Sequence, residues 1–130
     1  EIEGELPISW YLLVNVTEII LSENAISGVL PSEWSSLIFL QSLHLDENQL
    51  SGTLPPPWSA FSNLQYLPLN GNQLNGTLPA SWSELHSLIE LNLSNNQLTG
   101  TLSEAIFDLD NLQSFKANFN MMSGSIPSSW

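Results

Sequence analysis

Apolar residues recur along this chain in columns with a period of 24 residues. Gly4, Gly28, Gly52, Gly76, Gly100 and Gly124 keep the period without a slip. Two positions after each glycine stands Leu6, Leu30, Leu54, Leu78, Leu102 or Ile126. Proline follows at Pro7, Pro31, Pro55, Pro79 and Pro127, with Ser103 as the exception. Tryptophan comes three residues later, at Trp10, Trp34, Trp58, Trp82 and Trp130, with Ile106 as the exception. Further apolar columns run Leu13, Leu37, Phe61, Leu85, Leu109; Val16, Leu40, Leu64, Leu88, Leu112; and Ile19, Leu43, Leu67, Leu91, Phe115. So many columns in register are the signature of a stacked repeat architecture, in which one coil cannot bury its apolar stripe alone.

Within each period an apolar-x-apolar step predicts a short strand, its two apolar side chains inward and their neighbours outward. Strands are expected near 18–22, 42–46, 66–70, 90–94 and 114–118, pairing in parallel at about 4.8 Å. An asparagine column, Asn24, Asn48, Asn72, Asn96 and Asn120, follows the strands. Turned inward, each amide can donate and accept, and so satisfy backbone groups at the bend. The tryptophans are expected to cover the convex side of the core. The fold class is therefore an α/β-type repeat solenoid, mostly β and coil, curved, with a parallel concave sheet. Residues 1–130 read as one array of five 24-residue coils plus a partial coil. The two ends share one phase of the repeat, and neither carries a polar capping coil. The expectation is that further repeats or another copy cover the end faces, where Leu6, Leu13, Val16, Ile19, Leu21, Leu112, Phe115, Met122 and Ile126 lie.

The stretches LIELNLSNNQLTGTLSEAI and LQSLHLDENQLSGTLPPPW resemble leucine-rich repeats of the plant type. The resemblance covers essentially the whole chain and implies a second short strand after each asparagine. Tryptophan followed by serine, as in Trp34-Ser35, Trp58-Ser59 and Trp82-Ser83, is similar to the repeats of trypanosomatid surface antigens. That similarity implies an extracellular or cell-surface location, with lipid anchoring common.

Composition narrows the functions. One basic residue, Lys116, stands against 13 acidic ones, for a formal net charge of -12. A nucleic-acid partner is excluded, because phosphates must be neutralised by Lys and Arg. Anionic membrane surfaces are disfavoured for the same reason, and the longest greasy stretch, from Trp10 to Val16, is too short for direct membrane insertion. With no cysteine, disulfides and thiolate metal sites are out of reach. No cofactor is expected.

The family resemblance places ligands on the concave sheet. Its outward positions are Glu18, Ile20, Ser22 and Glu23 in the first coil, then Ser42, His44, Asp46 and Glu47. Tyr66, Pro68, Asn70 and Gly71 follow, then Glu90, Asn92, Ser94 and Asn95, then Ser114, Lys116, Asn118 and Phe119. The alternative reading is a solvated sheet with no ligand in this segment. Ser42, His44 and Asp46 share one strand and suggest a triad, yet residues two apart on a strand stand roughly 6.5–7 Å apart. Nucleophile and base must approach to about 3 Å, so catalysis is not expected. Glu23, Glu47 and Asp46 could offer oxygen ligands to calcium, but no calcium-binding signature accompanies them, so a hydrated acidic patch is preferred and no metal is assigned. Asn15, Asn75 and Asn92 begin N-x-S/T sequons, with Asn75 the best-placed candidate for glycosylation. The first coil is unusually apolar at Tyr11, Leu12, Val14 and Ile20.

Together these features point to an extracellular recognition or adhesion module with a protein or glycan ligand. The alternative is a structural subunit of a surface layer or filament, self-associating end to end.

Overall fold

The computed structural model describes residues 1–102, 106 and 108–126; Ser103, Pro127 and Trp130 of the repeat columns lie outside the described residues. Among the described residues there are ten short strands: β1 Glu3–Glu5, β2 Glu18–Ile20, β3 Ala25–Ser27, β4 Ser42–His44, β5 Ser51–Thr53, β6 Tyr66–Pro68, β7 Gln73–Gly76, β8 Glu90–Asn92, β9 Gln97–Leu98 and β10 Ser114–Lys116. They form a curved solenoid. The principal sheet is parallel, in the order β2, β4, β6, β8, β10, so each coil contributes one strand. A second set of strands builds a separate parallel layer, β1 with β3 and β5 with β7 and β9, joined by a bridge between Val29 and Ser51. This is the extra strand that the plant-type pattern implies.

All five strands of the principal sheet begin where the sequence places them, and each ends two residues early. Beyond each strand, Glu23, Glu47, Gly71, Asn95 and Phe119 adopt positive φ, between 52° and 67°, and the chain curls away from the sheet there. Backbone pairing continues into the curl, through Leu21 N–H to the His44 carbonyl at 2.9 Å and Glu23 N–H to the Asp46 carbonyl at 3.0 Å.

The return segments are 3-10 turns, at Ile8–Leu12, Ser32–Ser36, Pro56–Ala60 and Ala80–Glu84. Each follows a proline held extended, such as Pro31 at φ -69° and ψ 119°, where the ring's fixed φ suits the entry to the turn. The proline carbonyl then takes two donors. Pro31 accepts the backbone N–H of Trp34 at 3.3 Å and the indole N–H of Trp58, one coil later, at 2.9 Å. Pro55 does the same for Trp58 at 3.1 Å and Trp82 at 2.9 Å. The indoles of Trp34, Trp58 and Trp82 are fully buried. Trp10 stacks on Trp34 with centroids 5.6 Å apart, and Trp58 on Trp82 at 6.3 Å. The three buried indoles thus each find a carbonyl of the preceding coil, Trp34 on Pro7, Trp58 on Pro31 and Trp82 on Pro55, as burial of an N–H requires.

On the opposite side of the core the asparagines do equivalent work. Asn72 donates to the carbonyls of Leu45 at 2.9 Å, Leu69 at 3.1 Å and Asn70 at 3.3 Å, and accepts from Leu50 N–H at 2.9 Å. Asn48 and Asn96 repeat this pattern, and all three are buried. Asn120 makes the corresponding bonds and Asn24 makes all but the one to a preceding coil, and both are only half-buried. Among the end-column residues, Leu6 and Ile19 are buried rather than open, because β3 and the second coil pack over them. Tyr11, Leu12, Val14 and Ile20 of the apolar first coil are exposed.

Candidate binding surface

The principal sheet carries its outward side chains in two columns fixed by strand register. Glu18 aligns with Ser42, Ser42 with Tyr66, Tyr66 with Glu90, and Glu90 with Ser114. Ile20 aligns with His44, Pro68 with Asn92, and Asn92 with Lys116. Between them Ile19, Leu43, Leu67 and Leu91 point into the core and are buried. The alternation of inward leucine and outward polar or ring side chains is what sets the face. Ile20 and Tyr66 are exposed, while His44 and Pro68 are half-buried between neighbouring strands.

Past the strand ends the expected arrangement needs correction. Glu23 and Glu47, just beyond the predicted strands, lie in the left-handed curl and are exposed at the rim of the sheet. The Glu47 carboxylate covers Gly71 so closely that a Cβ there would collide with it, and it accepts from Asn70 Nδ2 at 3.1 Å. Asp46 accepts from the Ser22 hydroxyl at 2.6 Å. Ser94, also expected outward, is buried, its hydroxyl and N–H both directed to Asn92 Oδ1, at 2.6 and 3.1 Å. Lys116 Nζ stands 3.5 Å from Glu90 Oε1. Single positions do not show the links from Ser22 to Asp46 and from Asn70 to Glu47; for the first the signal is the repeat itself, since Ser22 and Asp46 occupy the same column one period apart.

For the candidate triad, Asp46 is engaged by Ser22 rather than by His44. Among the described residues no hydrogen bond joins Ser42, His44 and Asp46, and no group of three or more His, Cys, Asp or Glu is arranged to hold a metal. No helix of the described residues is long and apolar enough to cross a membrane. Of the sequon asparagines, Asn15 is exposed in the first coil, Asn75 is exposed on β7, and Asn92 is half-buried on β8 with its amide oxygen occupied.

Two models described as leucine-rich repeat match the chain, over residues 40–98 and 15–37. The chain belongs to the leucine-rich repeat family. A comparison with curated proteins finds no match. Among solved structures it is similar to the plant peptide hormone receptor RGFR1 in complex with RGF2, with 35% identity over 96% of this chain and 20% of that one, at TM-score 0.95. The complex PEPR1-AtPEP1 is similar at 32% identity over 98% of this chain and 18% of that one, TM-score 0.95. The Arabidopsis receptor kinase HAESA, in complex with the peptide hormone IDA and the co-receptor SERK1, is similar at 27% identity, over 96% of this chain and 21% of that one, at TM-score 0.92. The chain spans about a fifth of the length of these receptors.

Proposed function

We propose that this chain is an extracellular protein-interaction module whose ligand lies across the principal sheet. The observation that carries the reading is the pair of in-register columns centred on His44, Tyr66 and Pro68, held on a buried leucine layer with no α-helix of the described residues covering them. A rigid sheet face with exposed rings offers area at small entropic cost, which is what a recognition surface needs. The similar receptors recorded with peptide hormones support a protein or peptide ligand over a glycan. The tryptophan-serine step remains the feature that relates these repeats to surface antigens, and with it a cell-surface location, adhesive contacts and glycosylation at Asn75.

The test is selection of linear peptides from a phage-displayed library on the intact chain. Selected peptides should lose affinity to Tyr66→Ala and His44→Ala variants and keep it with Ser81→Ala on the convex turn. Selected peptides that ignore both sheet substitutions and compete only at the convex turns would overturn the reading.

A further inference from the structure

The charge on this face is unevenly placed along the solenoid axis. The first two coils bring Glu18, Glu23, Asp46 and Glu47 to the sheet and its rim, all without a cation. The third coil brings no charge, and presents Tyr66 and Pro68 instead. The fourth and fifth coils bring Glu90 and Lys116, which stand 3.5 Å apart and balance one another. Lys116 is also the only basic residue of the chain. An anionic ligand therefore finds no free ammonium or guanidinium anywhere on the face. A cationic one finds four carboxylates at one end, in a molecule of net charge -12 that attracts it from a distance.

Resting on the sheet-face reading above, we propose that the occupant is an extended basic protein segment, with Lys or Arg over the first two coils and an apolar residue on Tyr66 and Pro68. The dimensions agree. Five strands about 4.8 Å apart span roughly 20 Å, the length of about six extended residues. Asp46 and Glu47 are held in place by Ser22 and Asn70, so little ordering is left for a cation to impose. Each carboxylate keeps further acceptor capacity for an arriving donor. Ile20, exposed beside Glu18 and His44, offers a second apolar contact at the acidic end.

The experiment titrates the intact chain with three synthetic peptide pools of matched length, each carrying one Leu and one Tyr, and otherwise rich in Lys and Arg, in Ser and Gln, or in Glu. Two double variants remove the same charge from different faces: Asp46→Asn with Glu47→Gln at the sheet, and Glu33→Gln with Glu84→Gln on the convex turns. The amide replacements keep acceptors for Ser22 and Asn70, and thermal melts check that both variants fold. The basic pool should bind, should weaken as salt is raised, and should weaken about fivefold or more in the sheet variant, as expected for the loss of two exposed ion pairs. The convex variant should stay within about twofold of the parent. Tyr66→Ala should weaken the basic pool as well. Preference for the neutral or acidic pool, still sensitive to Tyr66→Ala, would overturn this proposal and leave the sheet-face reading standing. Basic peptides weakened equally by both double variants would mark diffuse attraction and overturn it. No pool sensitive to Tyr66→Ala would remove both.

Discussion

The Cγ2 methyl of Thr53 occupies the space above Gly76, where a Cβ would meet it at 2.9 Å. Thr77 over Gly100 and Thr101 over Gly124 repeat the contact one coil on, at 2.8 and 2.9 Å, and Val29 makes it with Gly52 at 2.9 Å. Gly76 also sits at φ 74°, a conformation that L side chains disfavour. Gly76→Ala should therefore destabilise the chain by about 1–3 kcal/mol, combining backbone strain with overpacking. Urea denaturation would measure it. Adding Thr53→Ser, which removes the methyl, should restore part of the loss and leave the strain; no recovery at all would show that the contact is not what limits the site.

Asn72→Leu should cost about 1–3 kcal/mol, because the buried N–H of Leu50 loses its acceptor and the carbonyl of Leu45 keeps only Asn48. The same change at half-buried Asn24 should cost less, since water can reach the groups it leaves. Equal losses at both positions in chemical denaturation would contradict the role given to burial.

Trp58→Phe keeps an aromatic ring but removes the donor to Pro31 and shrinks the stack on Trp82. A loss of about 1 kcal/mol is expected from the missing indole bond, because the Pro31 carbonyl keeps the backbone N–H of Trp34. Trp58→Ala should reach about 3–5 kcal/mol through the cavity it leaves. Calorimetric melts of the two variants would check the order.

Ser42 should not react with a serine-directed phosphonate. Its strand neighbours of the same face stand roughly 6.5–7 Å away, and the carboxylate that would orient His44 is held by Ser22. Stoichiometric labelling of Ser42, lost in His44→Ala, would reveal a working nucleophile and base.

The period, the strand starts and the inward columns were legible because each depends on spacing alone. The curl beyond each strand was not, since it depends on backbone conformation at one residue per coil. The clue stood in the column Glu23, Glu47, Gly71, Asn95, Phe119, where a glycine and an asparagine hint at positive φ. Its three other members, two glutamates and a phenylalanine, concealed it. The 3-10 turns and the proline-to-indole bonds were hidden for another reason. Proline and tryptophan were each visible as columns, but the bond between them joins residues 27 apart, in different coils. On the candidate face, the alternation within each strand could be read directly, but the burial of Ser94 past the strand end could not. Which carboxylates are already engaged, as Asp46 is by Ser22, could not.

The bonds that join coils all bridge a similar length of chain: 22 residues from Leu50 to Asn72, 25 from Ser62 to Ser87, and 27 from Pro31 to Trp58. Losing a few residues inside one coil would pull each of these donors away from its acceptor across a whole junction. Losing or gaining one complete 24-residue unit would keep the repeated backbone and asparagine bonds in register at every junction. A gene for such an array can therefore change length by unequal recombination in whole units without passing through unfolded products. Each such event would add or remove one strip of the outward face, so the breadth of what is recognised can evolve separately from the architecture that presents it.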